Sequence, residues 1–220
     1  VEARIAAPIG LSATVEGGAD LSALDPFLDG ATLAGPARLD LRVGYSPSGL
    51  RIEGGVVVEN ARVSLEELQL VATDLGGELR FDGERVGLEA KAAVGEGKLR
   101  LHGGMQLGPA LVGPAELTLE ADRVPIHYPP GFRGRASGAL TLAGDAGRYR
   151  LGGTVNLNQS YFTGQLDARA QALDRLAWQL AALDGGLLNQ VSLDVRLRLA
   201  EPLRVRNSRI QLDAEGTVQA

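Results

Sequence analysis

A period-two alternation of apolar and polar residues runs along most of this chain and constrains its fold more than any other feature. The longest run extends from Val191 to Leu199, where every second residue is Leu or Val and the residues between are Ser, Asp and Arg. Successive side chains of a β-strand point to opposite faces, so this pattern predicts strands with one apolar and one solvated face. The alternation recurs in shorter runs at 39–43, 79–81, 86–92, 99–101, 117–119 and 140–142.

Most of the 30 glycines fall between these runs. We expect the pairs Gly76-Gly77, Gly103-Gly104 and Gly152-Gly153 to form tight turns, because positive φ angles favour Gly. Strands recur about every 8–12 residues, which leaves no room for the helical crossovers that parallel strands need. The expected fold class is therefore all-β, a long antiparallel meander.

Two segments depart from the alternation. Ser22 to Leu28 predicts a helical turn or short helix, interrupted by Pro26. Leu166 to Leu183 has apolar residues every three or four positions, followed by Gly185-Gly186, which predicts an amphipathic helix with a C-cap. This helix either packs on the apolar face of the sheet or acts as a plug that cargo displaces, and the sequence does not separate the two.

The residue types needed for catalysis or metal binding are scarce. The chain has no Cys, which excludes thiolate metal sites and Cys nucleophiles, and its only histidines are His102 and His127. We interpret His102 as lying at a strand–turn junction and His127 as part of a Pro-rich stretch, both without an acid–base partner. Gly95-Glu96-Gly97-Lys98 lacks the spacing of a phosphate loop and predicts a hairpin turn. We therefore predict no catalytic residues, no metal, no cofactor and no enzymatic activity.

Charge and hydropathy exclude two further classes of function. The net charge is −5 and the basic residues are spread along the chain, whereas a nucleic-acid surface needs clustered Lys and Arg. No segment approaches the ~20 apolar residues that span a bilayer. We expect residues 1–220 to be one β-groove segment cut from a longer protein. Residues 1–30 carry no clear pattern, 31–165 form the meander, 166–184 the helix and 187–220 the final strands.

A series of short signatures resembles the C-terminal region of the TamB family, which is related to AsmA-like proteins. Val124 to Arg133 resembles the family's V-x-L-x-Y-P-x-G-x-R segment. The other signatures are strand-like stretches in the family's order: 75–83 with 95–99, 138–144, 149–155, 191–197, 203–207 and 212–216. The resemblance covers roughly Ala31 to Ala220, and the family continues for several strands beyond the last signature.

This resemblance implies a β-taco, a strongly curved antiparallel sheet whose apolar face lines a groove. It implies a periplasmic location as part of an inner-membrane-anchored protein, with a TamA- or BamA-type barrel as a possible partner in the outer membrane. The functions that it implies are phospholipid transfer between the membranes and help in the assembly of outer-membrane proteins. It brings no catalytic residues.

Leu, Val and Ala supply nearly all the inward positions, and aromatic residues make up only 4% of the chain. Closed β-sandwiches normally fill their cores with aromatics. We therefore predict an aliphatic groove for phospholipid or other acyl chains, although the strand register decides which face each residue occupies. The predicted groove residues are Leu39, Leu41, Val43, Leu88, Leu99, Leu101, Leu117, Leu119, Leu140, Leu142, Leu193, Val195, Leu197 and Leu212.

Three alternatives to a lipid groove stay open at this stage. The same residues could close into an ordinary core. An unpaired sheet edge could instead bind nascent outer-membrane strands by strand addition, as a scaffold or chaperone. The chain could also be a structural bridge without cargo.

Overall fold

A computed structural model describes residues 11–28, 30–46, 49–66, 68–107, 113–128, 130–145, 148–163, 191–206, 211–214 and 216–219. In these ranges the chain is almost entirely β-strand, which confirms the predicted all-β class. The elements are a 3₁₀ helix (Leu21–Phe27), β1 (Leu11–Asp20), β2 (Ala31–Ala34), β3 (Pro36–Ser46), β4 (Gly49–Leu65), β5 (Leu70–Gly83), β6 (Arg85–Val94), β7 (Gly97–Gln106), β8 (Ala115–Ile126), β9 (Phe132–Asp145), β10 (Arg148–Phe162), β11 (Val191–Leu199), β12 (Leu203–Arg206), β13 (Gln211–Ala214) and β14 (Thr217–Gln219).

The strands form one 14-stranded sheet whose order follows the chain from β3 to β11. Its path begins on β1, which pairs with β3, and ends on β14, which pairs with β11. All pairs along the path from β1 to β10 are antiparallel, as expected for a meander. β2 and β3 pair with successive parts of β4 and are separated by Gly35. β12 joins the sheet through the end of β10 and forms a hairpin with β13.

The antiparallel alternation changes after β10. β11 lies parallel to β10, with Tyr149 opposite Val191 and Leu157 opposite Leu199. Parallel neighbours need a crossover of about a dozen residues or more, and the connection 163–190 is long enough to provide one. The helix expected over 166–183 falls in this connection and lies outside the described residues, so it stays a prediction.

The short elements expected from the sequence are present. The 3₁₀ helix contains Pro26, and the carboxylate of Asp20 caps it by accepting a hydrogen bond from the Ser22 backbone N–H at 2.9 Å. Gly95 and Glu96 form the predicted hairpin turn between β6 and β7, with Gly95 at φ +57°.

The prediction of turns at the three glycine pairs is wrong. Gly76-Gly77, Gly103-Gly104 and Gly152-Gly153 lie inside β5, β7 and β10. A Cβ on Gly103 would clash with the carbonyl oxygen of Glu116 in β8, and the φ of Gly103 is +141°. The glycine therefore serves a close approach between strands within the sheet, not a turn. Because Gly103-Gly104 lie within β7, His102 lies in the interior of this strand and not at a strand–turn junction.

Four β-bulges lie towards one end of the long strands. Asn60 in β4, Asp74 in β5, Arg123 in β8 and Gln159 in β10 each adopt φ near +50° at a shift in pairing register. The extra residue of a bulge bends its strand and increases the local twist. We call this end of the sheet, with Gln69 and the turn 95–96, the bulged rim.

The most tightly packed side chains lie at the bulged rim. Ala72, Val94 and Val124 form a buried cluster, against which partly buried hydrophobic residues of β4 to β8 pack. Ala61, next to the bulge of β4, is only 1% exposed, and Ala136, opposite Val124, is 5% exposed. The core of the described residues is therefore built mainly of small side chains at one margin of the sheet.

Candidate functional site

The strand register places thirteen of the fourteen predicted groove residues on one face of the sheet, which we call the apolar face. Directly paired residues share a face, so each residue can be followed from strand to strand. Leu101 of β7 lies opposite Leu119 of β8, which lies opposite Leu140 of β9. Leu212, the fourteenth, pairs with Val205 of β12, and its side chain lies outside the described part of the structure.

One row of this face crosses nine strands. Every position from β3 to β11 in that row is Leu or Val except Gly103. We call it the leucine row, and its members are Leu39, Val56, Leu79, Leu88, Gly103, Leu117, Leu142, Leu151 and Leu193. Equivalent aliphatic positions therefore repeat across the sheet at the strand spacing of about 4.8 Å.

The large side chains of the apolar face are only partly covered. Leu88, Leu119 and Leu142 are half-buried, and the described residues contain no large side chain that is fully buried. Exposure is greatest towards the two ends of the sheet, where Val15 of β1, opposite Leu41, is 49% exposed and Leu193 of β11 is 47% exposed. The described strands belong to a single sheet, and neighbouring side chains of this face cover one another in part. The bulges and the glycines inside the strands favour bending of such a sheet.

Several residues of the apolar face were missed by the sequence analysis. Val56 lies in the run Val56-Val57-Val58, where the absence of alternation hides the face that each residue occupies. Leu151 lies beside Gly152-Gly153, which were read as turn residues, whereas Phe81 belongs to the alternating run 79–81 but was not included among the groove residues. Glycine within a strand was the missing signal, since it interrupts the alternation without ending the strand.

The margin opposite the bulged rim is fixed by Tyr149 at the start of β10. Its ring is buried, and its hydroxyl donates a hydrogen bond of 2.7 Å to the carbonyl oxygen of Gly113. Gly113 precedes β8, and its own N–H donates to the carbonyl oxygen of Gln106 at the end of β7. This contact holds the β7–β8 connection against β10, two strands away, and we call it the tyrosine latch.

Charged residues occupy the other face, which we call the polar face. Glu78 and Arg80 form a bidentate ion pair there, with Nε–Oε1 at 2.7 Å and Nη2–Oε2 at 2.8 Å. The hydrogen bond from Arg80 lowers the pKa of Glu78, and the same bond raises the pKa of Arg80. Asp20 also has a lowered pKa, through its hydrogen bond with Ser22 in the helix cap. These shifts belong to surface pairs and a cap, and they do not form a catalytic cluster.

The described residues contain no group of three or more His, Asp or Glu side chains arranged to hold a metal ion. His127 is exposed, whereas His102 is half-buried on the polar face, where its Nδ1 atom is buried without a hydrogen-bond partner. Within the described ranges no helix is long and apolar enough to cross a membrane.

A family model supplies the identification. Residues 84–219 match the model of the TamB C-terminal domain, which covers more than half of the chain. The chain belongs to the TamB family. TamB proteins act in the periplasm in the biogenesis of the outer membrane, are generally anchored in the inner membrane, and work with TamA in the outer membrane. The family is not known for enzymatic activity. Comparisons with curated proteins and with solved structures gave no match.

The TamB match begins at the turn between β5 and β6. The signatures seen in the sequence extended the resemblance upstream to Ala31, into strands that the family model does not cover. In the structure, β1 to β5 continue the same sheet, and Leu39, Val56 and Leu79 continue the leucine row. The apolar face therefore extends beyond the matched residues.

Proposed function

We propose that the apolar face of this TamB-family chain carries phospholipid acyl chains along an open aliphatic groove between the inner and outer membranes. The observation that supports this best is the leucine row, a line of aliphatic positions across nine strands whose large side chains stay partly exposed. A core that served only stability would bury these side chains, because burial of a leucine is worth about 1.5–3 kcal/mol.

The physical need for such a face follows from the cost of moving a lipid through water. An acyl chain loses about 0.8 kcal/mol for each CH₂ group that it exposes, so a chain of ordinary length faces a cost on the order of ten kcal/mol. Aliphatic side chains offset this cost by dispersion contacts and burial, without hydrogen bonds that would select one lipid. Similar positions repeated from strand to strand give similar binding free energies, so a bound chain moves along the row without a deep trap.

The proposal is tested by lipid occupancy. The chain, purified from bacterial cells, is analysed by native mass spectrometry and lipid extraction, together with Leu119→Asp, Val195→Asp, Leu197→Asp and Leu142→Asp. The expected result is co-purified phospholipid in the parent and its loss in these variants, whose far-ultraviolet circular dichroism stays that of a β-protein. Ala143→Asp is the matched control, because Ala143 neighbours Leu142 in β9 but is exposed on the polar face.

Two results would contradict the groove. If the parent chain is folded but carries no lipid, phospholipid is not its cargo. Unfolding of Leu119→Asp and Leu142→Asp, with Ala143→Asp intact, would mean that the leucines form a closed core in which an unpaired charge is very costly.

A second candidate function is strand addition to clients of outer-membrane assembly, with a TamA- or BamA-type partner. One observation favours it. In the part of the chain that the structure describes, β14 pairs with β11 only from Arg196 to Arg198, while Leu193 and Leu197 of β11 are exposed. Edge strands bind extended chains through backbone hydrogen bonds. In that case Ser192→Pro, which removes a backbone donor from β11, would reduce client binding, whereas Leu119→Asp in the middle of the sheet would not. If the chain carries lipid instead, Leu119→Asp should reduce lipid occupancy and Ser192→Pro should not.

A further inference from the structure

The apolar face is open at β11. Leu193 and Leu197 are 47% and 37% exposed, although each lies directly opposite an apolar-face residue of β10, Leu151 and Val155 respectively. On the other side of β11, the described part of β14 pairs only with residues 196–198. The two leucines therefore offer aliphatic surface that the described strands leave uncovered.

The connection between β10 and β11 has to pass along one face of the sheet. β10 ends at Phe162, at the bulged rim, and β11 begins at Val191, opposite Tyr149 at the other margin. At about 3.3 Å per residue, these two points are roughly 40 Å apart. Residues 163–190 are long enough, because a helix over 166–183 would span about 27 Å and the remaining residues would only have to cover the rest.

Backbone hydrogen bonds show on which side of β10 the next strand lies. The N–H of Ala200, directly after β11, donates to the carbonyl oxygen of Leu157 at 3.0 Å, and the Ser192 hydroxyl donates to that of Tyr149 at 3.3 Å. Leu157 and Tyr149 share the apolar face with Leu151, because no register shift separates them. In a strand of L-residues that runs upwards, the C=O of a residue whose side chain points to the viewer lies to the right. Viewed from the apolar face, β11 therefore lies to the right of β10.

This arrangement selects the face that the connection crosses. Connections between parallel strands of one sheet are right-handed in about 98% of cases. Since β11 lies to the right of β10 when seen from the apolar face, a right-handed connection passes over that face. A connection over the polar face would be left-handed.

Side-chain chemistry favours the same face. The leucines of the expected helix form one stripe, which we call the helix stripe: Leu166, Leu173, Leu176, Leu180 and Leu183. On the polar face this stripe would lie against the side chains of Ser192, Asp194, Arg196 and Arg198 and would remove water from charged groups, which is costly. On the apolar face it meets leucine and valine, and an amphipathic helix buries its stripe on such a surface.

We propose that the connection 163–190 docks on the apolar face of β10 and β11, with the helix stripe against Leu193 and Leu197. The proposal goes beyond the proposed function, because it follows from the strand pairing and holds whether or not the groove carries lipid. An acyl chain that reaches β11 competes with this connection for the same two leucines.

Single introduced thiols test the proposal, because the chain has no cysteine of its own. Leu197→Cys lies on the apolar face, and Arg196→Cys, its neighbour, is the matched control on the exposed polar face. The rate of reaction with a maleimide is measured for each, alone and combined with Leu173→Ser, Leu176→Ser and Leu180→Ser. We expect the serines to accelerate Leu197→Cys at least about tenfold, because a docked connection has to open before the thiol reacts. Arg196→Cys should keep its rate.

A second measurement does not depend on the serine substitutions. Ala177→Cys, near the middle of the expected helix, is combined with Leu197→Cys or with Arg196→Cys and treated with a short bismaleimide in dilute solution. Mass spectrometry of the proteolysed monomer identifies the linked peptides. We expect a link between 177 and 197 and none between 177 and 196.

Three results would overturn the proposal. A link to Arg196→Cys would mean a left-handed connection over the polar face. Absence of both links, with rates that the serines do not change, would mean that the connection covers neither face. A slow Leu197→Cys that the serines do not accelerate would assign its protection to lipid or to a second copy of the chain. Loss of lipid with the 177–197 link intact would count against the groove alone.

Discussion

The bulged rim and the leucine row belong to the same face of the same sheet but differ in side-chain size and burial. At the rim, Ala61 and Val94 are 1% and 2% exposed. In the row, the larger Leu88 and Leu142 are half-buried. In most proteins the largest aliphatic side chains are among the most buried. The reversal indicates that the rim supplies much of the stability of the sheet, while the row keeps aliphatic surface available.

The largest difference should appear when the same charge is introduced in both regions. Val124→Asp, at the rim, places an unpaired carboxylate among Ala72 and Val94, and we expect it to lower the free energy of unfolding by roughly 3–5 kcal/mol. Leu119→Asp, in the middle of the sheet, should cost only about 1–2 kcal/mol, because its side chain is already partly in water. Urea unfolding followed by circular dichroism measures both.

The control for this pair is Ala143→Asp on the polar face, which should change stability little. Equal destabilisation by Val124→Asp and Leu119→Asp would remove the distinction between rim and row, and it would favour a closed core over a groove.

A second comparison concerns two glycines inside strands. Gly103→Ala should lower stability by about 1–3 kcal/mol, because its φ is +141° and the new Cβ would clash with the Glu116 carbonyl oxygen. Gly87→Ala on the polar face meets nothing within 4 Å and has an ordinary φ, so it should stabilise the chain by about 0.4–1 kcal/mol. Thermal unfolding shows whether each variant is less or more stable than the parent chain. If Gly103→Ala leaves the stability unchanged, the leucine row tolerates a side chain at its one glycine position.

These glycines also show how far the sequence predicts the molecule. The alternation from Leu117 to Leu119 and from Leu140 to Leu142 was sufficient to predict the strands and to choose residues that share one face. Gly103 and Gly153 were assigned to turns, because a sequence does not distinguish a glycine that allows a turn from one that allows close strand approach.

The bulges were not predicted either. Asn60 and Arg123 adopt left-handed conformations where distant strands pair. Asn adopts this conformation more readily than most residues, but Arg does not, and the sequence around them does not show where the register shifts. Without the bulges, the separation between a buried rim and an exposed row could not be inferred. The parallel pairing of β10 with β11 was unexpected for the same reason, since pairing over the connection 163–190 depends on tertiary contacts and not on local pattern.

The margin opposite the bulged rim should be weaker, because the tyrosine latch supplies a single buried hydrogen bond there. Tyr149→Phe keeps the ring and removes the hydroxyl that donates to Gly113, so we expect a loss of about 0.5–1.5 kcal/mol. Hydrogen exchange should increase first in the β7–β8 connection at Gly113, while the amides of the bulged rim keep their protection. Increased exchange at the rim as well would mean that the two margins unfold as one unit.

The smallest effect is expected from the ion pair of Glu78 and Arg80 on the polar face, because exposed ion pairs contribute little to stability. The pKa of Glu78 is lower in the folded chain than its ordinary value of 4.5, owing to the hydrogen bond from Arg80. The pair therefore stabilises the fold above that ordinary pKa, and the contribution is lost as the pH falls through the lowered pKa. Glu89 lies directly opposite Glu78, and the repulsion between the two carboxylates offsets part of this stabilisation. Glu78→Gln should thus slightly reduce the midpoint of thermal unfolding at pH 7 and leave it unchanged at pH 2. A reduction as large as that of Tyr149→Phe would mean that polar-face charges, and not only the two margins, hold the sheet in its bent form.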